Sequence, residues 1–141
     1  MTKTIRSLVC LLLLTQVAAC AAPSATAHSG RQAIEARYAQ ATALYKQNMA
    51  PLAQYFVKTC GPMADHDYLD CINGKRNDIA ALSIYPEQPA AAEERQMLER
   101  RLLDKQIDRK QFRGQLEALK ARYDAEQLQR DIDNGQYSGR Y

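Results

Sequence analysis

Four polar side chains in one short stretch have the residue types of a metal site: Asp65, His66, Asp67 and Asp70. If the stretch is helical, His66 and Asp70 lie one turn apart on the same face, where imidazole and carboxylate could bind a divalent cation. A protein metal site needs three or four converging ligands, and this spacing supplies two. We therefore expect that Asp65 or Asp67 caps a helix, that His66 faces solvent, and that the chain binds no metal.

Catalytic motifs are absent from the sequence. It contains no serine nucleophile elbow, no glycine-rich phosphate loop, no zinc knuckle and no HExxH motif. Cys60 or Cys71 could act as a nucleophile only beside a base, and the sequence does not show one. We expect a protein that is not an enzyme, with no catalytic residue and no cofactor.

The N-terminus has the three parts of an export signal. Lys3 and Arg6 are basic, and an apolar run over residues 7–17 follows them. This run is well short of the ~20 residues that a membrane-spanning helix needs. The sequence therefore predicts a signal peptide over residues 1–19 that is removed from the mature protein.

The end of this run, Val17-Ala18-Ala19-Cys20, resembles the lipobox of bacterial lipoproteins. The resemblance implies cleavage before Cys20, lipidation of Cys20 by fatty acyl chains such as palmitate, and anchoring in membrane lipid. Ala21, which is not Asp, implies by the same resemblance a place in the Gram-negative outer membrane, facing the periplasm. The alternative is cleavage after Ala25-Thr26-Ala27, which would release a soluble periplasmic or secreted chain. We favour the lipobox because its cut directly follows the apolar run, whereas Ala27 lies further on.

The mature chain has almost no net charge. Removal of Lys3 and Arg6 with the signal leaves 17 basic and 16 acidic residues, a net charge of +1. No basic run remains that would predict binding to nucleic acid. The basic stretch Arg95–Arg101 also contains or follows glutamates, which indicates a solvated helical face.

Large aliphatic residues are scarce after the signal. Leu, Ile, Val and Phe together number 19 in the 121 residues from Ala21 onward. Such a composition, at low net charge, favours long helices with narrow apolar stripes over a globule with an enclosed pocket. We predict an all-α fold: a kinked N-terminal helix, a disulfide-closed turn to a second helix, and a C-terminal αα-hairpin.

The N-terminal half is predicted to contain a flexible tether and a broken helix. Residues 20–28 are small and polar and predict the tether. Ser29 and Gln32 match a capping box that begins the helical domain, residues 29–133. Pro51 predicts a kink or break near Asn48–Ala50, followed by a second segment that ends at Cys60-Gly61-Pro62.

Cys60 and Cys71 are predicted to form a disulfide. Exported proteins enter an oxidising compartment, and Cys10 leaves with the signal while Cys20 is acylated, so these two thiols remain. The loop that they close contributes ~3 kcal/mol in the chain-entropy model. A helix should follow the cysteines. Asn73-Gly74 should weaken its middle, and Pro86 should end it. This helix is the last part of a predicted subdomain over residues 29–85.

Residues 90–133 predict a helical hairpin, about Ala91–Lys105 and Asp108–Asp133. Its corner is indicated by an Asp108–Gln111 capping box and by a hydrophobic staple between Ile107 and Phe112. Asn134-Gly135 should end the second helix. Residues 134–141 are predicted to be a frayed, flexible tail, with a docking peptide as the alternative.

Two family resemblances concern the cysteine segment. The first is to the entry-exclusion lipoproteins of conjugative plasmids, whose disulfide loop resembles Cys60–Cys71 followed by Ile72-Asn73. The second is to small periplasmic lysozyme inhibitors, to which the same segment is similar when Asp78, Leu82 and Tyr85 are included. We expect a membrane-anchored, non-enzymatic protein that binds another envelope protein or forms a homo-oligomer, burying the Phe112–Tyr123 stripe in its partner. The alternative is an inhibitor or exclusion factor that blocks an envelope enzyme or a transfer apparatus.

Overall fold

The protein is all-helical in the part that the computed structural model describes, residues 24–141. Its five helices are α1 (Ser24–Tyr55), α2 (Asp65–Asn73), α3 (Arg76–Leu82), α4 (Pro89–Leu103) and α5 (Arg109–Asn134), with a π-helical turn (Phe56–Cys60) directly after α1. The predicted fold class is confirmed. None of these helices is long and apolar enough to cross a membrane. The predicted signal peptide, the lipidation residue Cys20 and the first three residues after it lie outside the described residues.

Helix α1 begins earlier than the sequence predicted. It starts at Ser24, so Ser29 lies inside the helix and does not cap it, and the last five residues of the predicted tether are helical. Ala25 and Ala27 favour a helix, and no proline or glycine lies between Ser24 and Ser29 to end one. The capping-box pattern therefore predicted the wrong first residue.

Pro51 does not break α1, which continues to Tyr55. The predicted second segment beginning at Pro51 is therefore wrong. Proline removes one backbone hydrogen bond, and the residue whose carbonyl loses its partner is Gln47. Gln47 and Pro51 are both exposed, so water can satisfy that carbonyl. The predicted end of the segment, at Cys60-Gly61, is confirmed by the end of the π-helical turn.

The helix predicted after the cysteines is divided in two. Helix α2 ends at Asn73 and α3 begins at Arg76, so Gly74 separates them, at the point of predicted weakness. The prediction that Asp65 or Asp67 caps the helix is wrong. The N-cap is Ala64, no side-chain hydrogen bond caps α2, and both aspartates lie in its first turn.

Helices α4 and α5 form the predicted hairpin. Asp108 is the N-cap of α5: its carboxylate accepts a hydrogen bond from the Gln111 amide at 2.7 Å. The Gln111 side chain in turn accepts one from the Asp108 amide at 2.9 Å. Ile107 and Phe112 are both buried in one cluster, as a hydrophobic staple requires. The predicted corner is confirmed.

The apolar core is divided into two clusters. The disulfide cluster is formed by parts of the π-helical turn, α2, α4 and α5, and consists of Cys60, Tyr68, Leu69, Leu102, Ile107 and Phe112. The tyrosine cluster joins α1 to the segment before α4 and consists of Ala41, Ile84 and Tyr85, with Tyr38, Tyr45 and Tyr137 packed against it. The two clusters lie at different levels along α1.

The C-terminal tail is docked, so the prediction of a frayed terminus is wrong. Gly135, at φ +67°, ends α5 in the left-handed conformation. The Arg140 guanidinium donates to the carbonyls of Ala80 and Ala81 at 2.8 and 2.9 Å, at the end of α3. The Arg140 amide donates to the Ile84 carbonyl at 2.9 Å. These contacts attach the tail to the end of α3 and to the segment after it.

Candidate functional site: the disulfide corner and the adjoining groove

The Cys60–Cys71 disulfide joins the π-helical turn to α2, as predicted. The two Cα atoms lie 5.8 Å apart, and Cys60 is fully buried in the disulfide cluster. The covalent bond therefore fixes the loop between them against the core. We call this loop and the π-helical turn the disulfide corner.

Arg109, at the start of α5, holds the disulfide corner from the other side. Its guanidinium donates to the Asp65 carboxylate at 2.6 Å, to the Gly61 carbonyl at 2.8 Å and to the Met63 carbonyl. Asp65 also accepts from Lys105. Hydrogen bonds from Lys105 and Arg109 hold the pKa of Asp65 below its ordinary value. Asp65 therefore joins α2 to the turn between α4 and α5.

This role of Arg109 was not predicted from the sequence. Asp65 and Arg109 are 44 residues apart, and no periodic pattern relates the two positions. A basic residue in the first turn of a helix is electrostatically unfavourable, because that end carries partial positive charge. Arg109 stands in that position in α5, and this is the one local signal that could have indicated a distant acidic partner.

Gly61 allows the chain to turn closely at the disulfide corner. Its amide donates to the Phe56 carbonyl at 2.8 Å. A Cβ atom at this position would collide with the carbonyl oxygen of Val57. Glycine is therefore required here by the close approach of the backbone, and the corner has little room to rearrange.

Three apolar side chains of this region are exposed, and we call them the corner surface: Tyr55, Val57 and Met63. Val57 is 64% exposed although the turn on which it lies is fixed by the disulfide and by Gly61. Exposed apolar groups on a rigid element are typical of binding sites, because little conformational entropy is lost on association.

The four polar residues that were weighed as a metal site, Asp65, His66, Asp67 and Asp70, do not converge on one point. Asp65 is turned toward the hairpin corner, whereas His66 and Asp70 lie on the opposite, exposed side of α2 with the Nδ1 and Oδ2 atoms 3.3 Å apart. Their side chains are 76% and 69% exposed, which describes a solvated pair. Among residues 24–141, no three histidine, cysteine or carboxylate side chains converge on one point.

A partly open groove of about 960 Å³ lies beside the disulfide corner. Its walls come from the second half of α1, from the π-helical turn and the loop after it, from α2 and α3, from the segment before α4 and the first part of α4, and from α5. The groove is partly open, which is compatible with the expectation of helices that do not enclose a pocket. The helices pack against one another through narrow apolar stripes at the two clusters. Because large side chains are scarce, the space between the helices is not filled elsewhere.

The Phe112–Tyr123 stripe is used inside the protein. Phe112 is 1% and Leu119 8% exposed, and the Tyr123 hydroxyl donates to Glu94 of α4 at 2.8 Å. The expectation that a partner or an oligomer buries this stripe is wrong for these residues. The hairpin buries it and leaves part of it as one wall of the groove.

Arg95 is also placed differently from the prediction of a solvated face. It is buried, and it donates to Glu87 at 2.9 Å and to Glu99 at 2.8 Å. Glu99 additionally accepts from Arg76 of α3 at 3.0 Å. Burial alone would lower the pKa of Arg95, but the two carboxylates outweigh it and raise that pKa. This network joins α3, the segment before α4 and α4 itself.

The chain was compared with other proteins at three levels. A search of protein-family models, of curated protein sequences and of solved structures found no match to it.

Proposed function

We propose that the protein is a lipoprotein of the outer membrane that is acylated on Cys20, faces the periplasm and binds another envelope protein without catalysing a reaction. The observation that supports this best is the corner surface: apolar side chains exposed on a turn that a disulfide and Arg109 hold rigid. The lipobox-like Val17–Cys20 segment supports the anchor. Anchoring to a membrane also raises the local concentration of any partner in the same envelope.

Val57 is the centre of the proposed interface. The backbone that carries Val57 is already ordered before binding, which lowers the entropy cost of association. Lys58, which follows Val57 in the chain and is exposed, would form part of a polar rim. A small surface of this kind is typical of a weak, specific interaction between proteins that share a membrane.

Photo-crosslinking in cells tests this interface. A benzoylphenylalanine residue in place of Val57 should yield an adduct of discrete mass with one envelope protein, which mass spectrometry would identify. Met97 is the matched control because it is also apolar, is 54% exposed and lies on α4 away from the corner. The same adducts from both positions, or adducts only with a second copy of this chain, would reject the proposed interface.

The anchor has a separate test. The wild-type protein should carry acyl mass on the peptide that begins at Cys20 and should fractionate with the outer membrane. The Cys20→Ser variant should lose the acyl mass and the membrane fraction. An unmodified wild-type chain beginning at His28 would contradict the anchor and would support the soluble alternative.

An inhibitor or exclusion factor is the second candidate function. The loop between Cys60 and Cys71 supports it, because two of its carbonyls, on Gly61 and Met63, are fixed by Arg109 and the Met63 side chain is exposed. Rigid loops of this kind can block a site with little loss of entropy. Cys60→Ser should then abolish inhibition while the helical circular dichroism persists. The identity of the crosslinked protein, an enzyme or transfer component in this case, decides between the two.

A further inference from the structure

The groove lies between the two apolar clusters, so the apolar core of the protein is not continuous. Phe56 and Phe112 line it on the side of the disulfide cluster, and Tyr45 and Tyr85 line it on the side of the tyrosine cluster. Its volume of about 960 Å³ is near the upper end of the range for small-molecule pockets, ~300–1,000 Å³. An apolar ligand would therefore complete the core.

The residues that line the groove extend along two helices. They follow α1 from Tyr45 to the end of that helix and α5 from Arg109 to Gln127. At 1.5 Å per residue, the second of these stretches is about 27 Å long. A linear chain fits such a space better than a compact ring system. Its shape and its apolar lining favour a single acyl chain.

Charged side chains at the groove are mostly neutralised within the protein. Lys120 bonds to Asp124, Arg95 to Glu87, Arg109 to Asp65 and Arg76 to Glu99. Two lining residues, Arg113 and Glu117, have no ion pair within the described part of the chain. They lie one turn apart on the same face of α5, about 5–6 Å between their Cβ atoms. Both are exposed, so they lie at the mouth of the groove.

We propose that the groove binds a single-chain zwitterionic phospholipid. The acyl chain lies between α1 and α5, the phosphate bonds to Arg113, and the head-group ammonium bonds to Glu117. An anion alone would satisfy Arg113 but would face the carboxylate of Glu117. A zwitterionic head with its charges one helical turn apart satisfies both. The groove adjoins the corner surface, because Val57 lines it, but the lipid proposal does not depend on the protein-binding proposal.

Photo-labelling of the full-length protein tests the site. The protein is placed in phosphatidylcholine nanodiscs with a small fraction of lysophosphatidylethanolamine that carries a diazirine in its acyl chain. After irradiation, the label should map to groove peptides containing Ala53 or Leu116. Unlabelled lysophosphatidylethanolamine should compete at least about tenfold better than lysophosphatidylglycerol or a free fatty acid of the same length, since one charge-assisted pair separates them.

Matched variants localise the label. Ala53 lines the groove and is exposed, so Ala53→Trp should fill the space and remove the label, whereas Ala43→Trp, on the same helix but outside the groove, should not. Arg113→Gln should weaken labelling about tenfold, and Lys110→Gln should not. Glu117→Gln should remove the preference for lysophosphatidylethanolamine over lysophosphatidylglycerol, a change of selectivity that a folding defect cannot mimic.

Several results would overturn the proposal. Label spread evenly over exposed peptides, including that of Met97, would mean non-specific contact with the membrane. Equal competition by all head groups would remove the role of Arg113 and Glu117. Unchanged labelling in Ala53→Trp, with the helical circular dichroism of the wild type, would exclude the groove as the site. A doubled mass in sedimentation with no label would assign the groove to a second copy of the chain.

Discussion

At the disulfide cluster, apolar side chains pack tightly around a covalent bond, and Arg109 fixes the backbone from outside. At the tyrosine cluster, hydrogen bonds are added to the apolar contacts: Tyr85 donates its hydroxyl to the buried carboxylate of Asp131 at 2.9 Å. Ser138 of the tail donates its amide to the same carboxylate at 2.9 Å and its hydroxyl at 2.7 Å. The disulfide cluster combines apolar contacts with a crosslink, and the tyrosine cluster combines apolar and ring contacts with hydrogen bonds to a single carboxylate.

This difference indicates how a chain with few large aliphatic residues is stabilised. Apolar burial is concentrated at the disulfide, which also lowers the conformational entropy of the unfolded chain. Hydrogen bonds contribute more of the stabilisation elsewhere. Polar bonds stabilise less per group than apolar burial, but they are directional and so define the position of the tail. The disulfide cluster includes Cys60 of the turn that carries the corner surface, and the hydrogen bonds at the tyrosine cluster fix the C-terminal tail.

The largest expected effect is at the disulfide cluster. Leu102 is 1% exposed, and Leu102→Ala should lower the free energy of unfolding by about 2–5 kcal/mol through lost burial and a cavity. The neighbouring Leu103 is 42% exposed, and Leu103→Ala should cost less than about 1 kcal/mol. Urea unfolding followed by circular dichroism measures both. Equal losses would mean that this cluster is not a packed core.

Removal of the crosslink should have the next largest effect. The double variant Cys60→Ala/Cys71→Ala should lose about 3 kcal/mol, because the unfolded chain regains the freedom of the loop. The wild-type protein unfolded with and without reductant gives an independent value of the same quantity. A loss below about 1 kcal/mol in both experiments would show that Arg109 and the apolar contacts are sufficient to hold the corner.

The tyrosine cluster should respond most strongly at Asp131. Asp131→Ala leaves the Tyr85 hydroxyl and the Ser138 amide without their acceptor, and should cost about 1–3 kcal/mol. Asp133 is the control, because it lies on the exposed side of the same helix. Asp133→Ala should change the free energy of unfolding by less than about 0.5 kcal/mol. If the two variants are alike, the tail is not fixed through Asp131.

The same carboxylate predicts a pH dependence. Burial alone would raise the pKa of Asp131, but hydrogen bonds from Ser138, Tyr85 and Gln127 outweigh it and hold the pKa below its ordinary value of 3.8. Since the folded pKa is lowered, the stabilisation is present above that ordinary value and is lost as the pH falls through the folded pKa. Unfolding measured from pH 6 to pH 2 should show a shallower loss in Asp131→Asn than in the wild type. Parallel curves would contradict this.

The smallest expected effect is at Arg140. Arg140→Gln removes two bonds to the last carbonyls of α3, which water can partly replace because the guanidinium is exposed. We expect a cost of about 0.5–1 kcal/mol and faster amide hydrogen exchange confined to residues 79–85. A uniform increase in exchange over the whole chain would instead mean that the tail contributes to global stability.

The disulfide cluster could be predicted from the sequence, whereas the hydrogen bonds at the tyrosine cluster could not. Helix periodicity, the Asp108–Gln111 capping box and the cysteine count each use residues that are close in the chain or unique in type. Tyr85 and Asp131 are 46 residues apart, and nothing local indicates that their side chains meet. The tail was mispredicted for the same reason, since all its partners are distant.

The groove could not be predicted because it is a space between helices. Its size depends on where α1 lies relative to α5, and an apolar stripe defines a face without defining a distance. Its candidate ligand groups, Arg113 and Glu117, look in the sequence like an ordinary exposed pair on a helix. What distinguishes them is visible only in three dimensions: the other charged side chains that line the groove are paired with one another or with neighbouring residues.

Crosslinking from position 57 with and without the disulfide tests the central claim, that the rigid corner presents a protein-binding surface. With benzoylphenylalanine in place of Val57, we predict one discrete adduct from the oxidised chain and a clearly weaker one from the Cys60→Ala/Cys71→Ala background, provided that circular dichroism shows its helices intact. Position 97 should give no adduct in either background. An undiminished adduct without the disulfide, or equal adducts from positions 57 and 97, would contradict the claim.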